Sequence, residues 1–410
     1  MTVSSYVYLD YAASAPLRPE AVAARAAYEA LPCACANPNS LHTLGRQAAS
    51  HLEQARRTLA KCLGGGFRPM DVAFAGGGTE ANNLALLGLA EGCREAHPSK
   101  HRVLIGATEH DSVLDLVSPL KARGFEVTLV APHPNGSIDA ASLERHLSED
   151  VALVSVMAAN NETGVVANLA ELSSVIHGAG ALFHSDAIQA FGRIPLDLAG
   201  VDAVTLAGHK IGAPVGTAAF AIKNRTPYRP QSFGGGQEGG RRPGTQDVAG
   251  ACALAATAAY CVEHLAKVRP LVASRARHVY QRLCAPGTHI LPTAGTQVGD
   301  DRLPGVVSVM VESFESEQLI LELDNLGYEV SAGSACSSGS LDPSHVLSAM
   351  GIGRALALGS LRISFDERVS LPELDGFCDA LLSIVAKAHP TCAKNDVAGS
   401  YGPADKRSRP

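Results

Sequence analysis

The chain has 410 residues, 46% of them hydrophobic and 18% charged, enough apolar material for one large core and a second, smaller one. A formal charge of -6 offers no clustered positive surface for a phosphate backbone, which excludes a nucleic-acid footprint of the usual kind. No basic stretch followed by an apolar core opens the sequence, and no run approaches the roughly 20 apolar residues that span a bilayer, so neither secretion nor a membrane is expected.

The ten cysteines are scattered through helical or core-like segments, which fits a reducing cytoplasm better than a disulfide framework. Cys33 and Cys35 have no second pair and no histidine at zinc-finger spacing, so no metal site is expected.

From about residue 68 to 223, short apolar runs alternate with helical patterns: DVAFA, HRVLIGA, VTLVAP, VALVSVMAA, ALFHS, VDAVTLA and VGTAAFAI are the runs. Such alternation predicts an α/β fold with a mostly parallel sheet covered on both faces, whose ligands gather at the carboxyl ends of the strands. The first run leads into Gly76-Gly77-Gly78-Thr79, which opens the helical pattern TEANNLALLGLA; backbone N–H groups there suit a phosphate, although a tight strand-to-helix turn has the same composition.

The next run leads to His110, a residue able to lie over a planar ring and relay protons, or simply to cap a helix. Asn161 and Gln189 follow later runs, as donors to a ring or substrate or as turn amides. Asp186 and Lys210 stand 24 residues apart at the ends of two more runs, with His209 just before the lysine. A strand-end lysine can carry an aldehyde as an imine, and a carboxylate on a neighbouring strand can hold a protonated ring nitrogen; that pair describes a pyridoxal phosphate site.

A glycine-rich stretch, SFGGGQEGGRRPGTQDV (232–248), precedes a long helical pattern over about 247–284. The later material, VVSVMV, SEQLILELDNLG, YEVSAG, LRISF and an amphipathic pattern over about 371–388, predicts a compact α+β unit. The expected division is a large cofactor-binding domain over 15–255, a small domain from 1–14 and 256–390, and a disordered tail over 391–410. In the small domain, SAGSACSSGSLDP (331–343) places Cys336 among residues too small to pack as a core element, either a surface-turn thiol or, beside the cofactor, a nucleophile for a substrate sulfur. Arg362 can grip a carboxylate with two parallel N–H bonds, or serve a structural ion pair.

Between YLDYAASAP (8–16) and LRISF (361–365) the sequence also carries NPNSLHTLGRQA, GGGTEANN, TEHDSVL, NNETGVV, FHSDAIQAFG, GHKIGAPVG and GGGQEGGRRPGT. In these motifs it resembles the cysteine desulfurases, pyridoxal-phosphate enzymes of fold type I and of the NifS and IscS kind within the class-V aminotransferases. The resemblance implies a homodimer that converts L-cysteine to L-alanine and passes sulfur, as a persulfide on Cys336, to an acceptor protein for iron-sulfur cluster assembly or tRNA thiolation. It implies that Lys210 carries the cofactor, Asp186 pairs with the ring nitrogen and Gln189 meets the ring oxygen. Gly78, Thr79 and His209 would contact phosphate, joined by Thr245 of the other subunit. His110 would stack on the ring and move protons, and Asn161 and Arg362 would orient substrate. Selenocysteine lyase or cysteine sulfinate desulfinase chemistry on the same scaffold, and a non-catalytic sulfur-relay or assembly role, are the alternatives.

Three positions depart from the family pattern. Ala207 stands where many relatives carry a phosphate-binding serine, Pro243 replaces the serine of Arg-Ser-Gly-Thr, and the tail shows no likeness to the scaffold-docking segment of relatives.

Overall fold

The computed structural model describes residues 6–295, 301–333 and 342–389. Its centre is a seven-stranded sheet with strand order β2-β8-β7-β6-β5-β3-β4. The strands are β2 (Val72–Ala75), β3 (Arg102–Gly106), β4 (Glu126–Val130), β5 (Val151–Ser155), β6 (Leu182–Asp186), β7 (Ala203–Ala207) and β8 (Ala218–Ile222); β1 (Val7–Tyr8) lies outside this sheet. Parallel pairing links β4, β3, β5, β6 and β7, and only β8 runs against its neighbours. Because helices cover both faces, β5, β7 and β8 are buried at every position, and their sequences read as near-continuous apolar runs, broken only by Ser155 and Thr205, rather than as alternation.

A second core is built on the three-stranded antiparallel sheet of β9 (Ile290–Pro292), β10 (Val306–Val311) and β12 (Ser360–Ser364), in the order β12-β10-β9. The N-terminal strand β1 joins this side of the molecule by pairing in parallel with β11 (Tyr328–Glu329). Asp10 bridges to Ser364 just beyond it, so the first described residues pack with the last strand. The closing helix Leu371–Ala388 starts with a capping box of Ser370 and Glu373 and buries Leu374, Phe377, Leu381 and Ile384 on one stripe.

One helix, Val248–Leu283, serves both cores. Its first half places Val248, Ala251, Leu254, Ala255, Ala258 and Cys261 in the core of the large sheet. Its second half places Val272, Ala276, Val279, Tyr280 and Leu283 in the core of the small sheet. Pro270, which lacks an N–H, falls between the two halves. By length and composition this helix is apolar enough to cross a membrane, contrary to the expectation from the sequence that no segment is; the apolar residues of each half are spent inside a protein core instead.

Candidate active site

The carboxyl ends of the central strands open on a cavity of about 460 Å³, within the range of small-molecule sites. The smaller cavity behind Lys210, about 40 Å³, is too small for a cofactor. Ala12, Ala13, Gly78, Thr79, His110, Asn161, Asp186, Gln189, His209, Lys210 and Arg362 all line the larger one. Ten of the eleven predicted site positions lie among the described residues, and nine of those ten meet here. The exception is Thr245, which lines a separate cavity of about 170 Å³ with Gly76 and Arg242. Cys336 lies outside the described residues. Its neighbours on the C-terminal side, Asp342 and Pro343, border the cavity, and on the N-terminal side the Gly333 carbonyl accepts from Arg362 Nη1 at 3.4 Å.

Lys210 ends the 3-10 turn Gly208–Lys210 that follows β7. The turn demands a glycine at its start, since a Cβ on Gly208 would fall 2.5 Å from Thr217 Oγ1. The lysine Nζ donates to the carbonyls of Ala12 and Ala13, each at 2.8 Å. Gln189 is held by the same segment: its Nε2 donates to Ala12 O at 2.9 Å and its Oε1 accepts from Arg193 Nη1 at 3.0 Å. Arg193 also donates to Lys210 O at 2.8 Å, and so fastens the amide and the lysine backbone together.

Asp186 is the last residue of β6 and is buried. Its Oδ1 accepts from Ile188 N at 2.8 Å and its Oδ2 from Asn82 Nδ2 at 2.7 Å. Burial pushes this carboxyl up, while those two donors and the nearby His110 and Lys210 pull it back. Glu109, fully buried close by, is pushed well above the carboxylate range by burial and by the charge of Asp186. A carboxyl in that setting regains its charge most readily beside a cation, which is what a protonated pyridine nitrogen provides.

The helix Gly78–Ala96 begins at the cavity with no side chain capping its first turn, so its N–H groups and dipole face the opening. A Cβ at Gly78 would stand 2.6 Å from Ile188 Cδ1. Beside it, burial and the charges of Lys210 and Arg193 push the His209 imidazole down to about 4, leaving it neutral near pH 7. Ala207, the departure noted in the sequence, also lines the cavity and brings no hydroxyl.

On the opposite wall Arg362, 1% exposed, donates from Nη2 to Asp10 Oδ1 at 2.8 Å and from Nη1 to Asn161 O at 3.2 Å. Its buried Nε has no hydrogen-bond partner among the described residues. The residue itself borders the cavity, where a guanidinium can meet a carboxylate. The anchorage by Asp10 was not foreseen from the sequence, because the two residues are 352 positions apart.

Sequence reasoning also missed the layer behind these groups. Asn82 was visible only as a letter in GGGTEANN, and Glu162 as a letter in NNETG. The latter is buried against the cavity and its Oε2 accepts from Ser344 Oγ at 2.5 Å. Helical spacing supplied one signal: Asn82 lies one turn after Gly78 and so on the helix face nearest the cavity.

A family model described as Aminotransferase class-V matches residues 7–377. An IscS-like cysteine desulfurase from Mycobacterium tuberculosis is 39% identical over 388 residues, covering 93% of this chain and 96% of the relative. Among solved structures, a NifS-like protein superposes with a TM-score of 0.84 at 30% identity, covering 93% of this chain and all of the other. SspA in complex with cysteine superposes with a TM-score of 0.72 at 29% identity, covering 87% of this chain and 98% of that one.

Proposed function

Because the chain belongs to the class-V aminotransferase family, among relatives that are cysteine desulfurases, we propose that its cavity removes sulfur from L-cysteine and that Cys336 receives it. The enzyme is pyridoxal-phosphate dependent, with the fold of the type I group. The observation that carries the reading is the convergence of Lys210, Asp186, His110 and Arg362, from distant parts of the sequence, on one cavity.

When bound, the cofactor supplies an aldehyde for an amine and a ring that accepts electrons. Lys210 would hold it, Asp186 would keep the ring nitrogen protonated, and Gln189 would meet the ring oxygen. Gly78, Thr79 and His209 would bind its phosphate from this subunit, with Thr245 reaching in from the second copy of a homodimer. That assignment is supported by the distance of Thr245 from its own chain's cavity, where it lines another opening. The neutral His209 would accept or donate a hydrogen bond without adding charge.

Arg362, with Asn161 beside it, would take the carboxylate of L-cysteine, since Asp10 holds the guanidinium in place and both residues border the cavity. His110 would deliver the proton that the substrate carbon regains. The thiolate of Cys336 would attack the substrate sulfur, so that an S–S bond forms as the C–S bond breaks and the carbon takes up a proton. L-cysteine and a thiol then give L-alanine and a persulfide, balanced with no outside oxidant. The persulfide would pass to an acceptor protein, an iron-sulfur scaffold or a tRNA-thiolation protein, in the cytoplasm. We assign the two cores to a large domain over 15–255 and a small one from 1–14 and 256–390. Residues 390–410, including the tail, lie outside the described residues.

The test is to incubate purified protein with L-cysteine and measure alanine, sulfide and protein-bound persulfide. Cys336→Ala is expected to keep the cofactor's visible absorbance and lose the persulfide. Full turnover by that variant would remove the covalent step.

A further inference from the structure

Behind the cavity wall runs a buried chain of polar side chains that no step above uses. Asn82, fully buried one turn into the helix Gly78–Ala96, accepts at Oδ1 from Thr205 Oγ1 at 2.5 Å. Its Nδ2 donates to Asp186 Oδ2 at 2.7 Å and to Ser112 Oγ at 2.9 Å. An amide nitrogen has two hydrogens, so both are committed, one to the carboxylate and one to the hydroxyl. The Asp186 contact fixes which end of the amide is oxygen, because only the amide nitrogen can donate to a carboxylate.

Ser112 lies with its Oγ 2.9 Å from His110 Nδ1, and its backbone N–H donates to the same nitrogen at 3.0 Å. A backbone N–H can only donate, so Nδ1 must be the unprotonated nitrogen of the neutral ring. The hydroxyl, already accepting from Asn82, turns its own hydrogen toward Nδ1. Every link therefore has one polarity: Thr205 to Asn82, Asn82 to Ser112 and Asp186, Ser112 to His110.

We propose that Asn82 and Ser112 are positioning residues that tie the Asp186 carboxylate to the His110 imidazole and fix its tautomer, with the proton of the neutral ring on Nε2. His110 then faces the reaction with its N–H at Nε2, the ring regaining from solvent any proton it gives up there. Accepting there would first require the ring to give up that proton, and moving it to Nδ1 would break the bond from the Ser112 N–H. The same amide holds the Asp186 carboxylate, so that the group that would pair with the ring nitrogen and the group that would protonate the substrate carbon are oriented by one buried side chain. This rests on the assignment of His110 as the proton carrier.

The experiment is nitrogen NMR on holoenzyme labelled with ¹⁵N-histidine, the His110 signals being identified by their loss in His110→Gln. Wild-type protein in its neutral form should show Nε2 protonated and Nδ1 in the range of an acceptor nitrogen. Ser112→Ala should shift the Nδ1 signal, and Ser112→Thr, which keeps the hydroxyl, should restore it. Kinetically, Ser112→Ala and Asn82→Leu should lower kcat by roughly tenfold, a part of the roughly 10²–10⁴-fold contribution of a general acid, with KM changing less than about twofold. A neutral His110 protonated at Nδ1 would overturn the proposal, as would a wild-type signal together with wild-type kcat in both variants. Because the histidine signals do not depend on turnover, a normal NMR result with no desulfurase activity would fault the assignment of substrate and leave the tautomer standing.

Discussion

Arg362 shows how a single side chain can hold a structural ion pair and still face a cavity. The sequence left an ion pair and a carboxylate grip as alternatives, and the geometry holds the ion pair with Asp10 while the residue still borders the cavity. Arg362→Lys should keep the charge and lose the fork. Loss of a charge-assisted bond of about 2 kcal/mol predicts roughly a 30-fold rise in KM for L-cysteine, read by steady-state kinetics, with the cofactor absorbance intact.

One buried histidine and one half-buried one carry a pH prediction. Burial pushes His184 down to about 3 and, with Lys210 and Arg193, pushes His209 down to about 4. The unfolded chain binds these protons near pH 6.5, so their stabilising contribution is full above that pH and is lost as pH falls through the folded values. His184 Nδ1 lies 2.9 Å from Ser155 Oγ, and its Nε2 has no partner among the described residues. His184→Asn should therefore flatten the acid limb of stability between about pH 6.5 and 3, by about 5 kcal/mol at most, measured by urea unfolding across that range.

Among the elements, the helix Gly78–Ala96 matters most because its first turn and a half presents Gly78, Thr79 and Asn82. Its interior glycines look like weaknesses, since alanine is the better helix former by about 1 kcal/mol. The packing reverses that sign. A Cβ on Gly92 would lie 2.5 Å from the backbone nitrogen of Tyr228, an atom that cannot swing away. Gly92→Ala should cost about 2 kcal/mol of stability and weaken cofactor retention, because relief of the clash displaces the helix; circular dichroism and visible absorbance together check both.

The long helix Val248–Leu283 was legible in extent but not in office. Its periodicity marks an apolar face over the whole length, yet periodicity does not say that the two halves face different sheets. The parallel strands were legible because a strand buried on both faces is mostly apolar, without the alternation of a half-exposed one. Short 3-10 turns and the reversed direction of β8 were not, since local composition does not encode strand direction.

Across the whole molecule, the joint between the cores has a specific lock. Arg18 donates from Nη1 to Glu367 Oε1 at 2.7 Å, from Nη2 to Asp366 Oδ2 at 3.1 Å and from Nε to Ile211 O at 3.0 Å. Removing one partner of a largely buried pair strands the other charge. Arg18→Met should lower the unfolding free energy by about 3 kcal/mol. The chain has no tryptophan, so far-ultraviolet circular dichroism is the probe. The chemistry-bearing residues of the site were legible in the sequence because their identity alone states what they can do. Their supports were not: Asp10, Arg18, Asn82 and Glu162 act through partners that only folding brings near.

The seat of the Lys210 ammonium lies furthest from sequence reading, being made of the carbonyls of Ala12 and Ala13. No alanine scan can detect it, because substituting either residue leaves its oxygen in place. Replacing the amide by an ester, or inserting a residue between Leu9 and Ser14, would slide or weaken those acceptors and unmoor the amine while every catalytic side chain stayed intact. In this enzyme the path of the N-terminal chain is therefore itself a catalytic specification, and a tag or fusion that tugs on it will register as lost chemistry rather than lost stability.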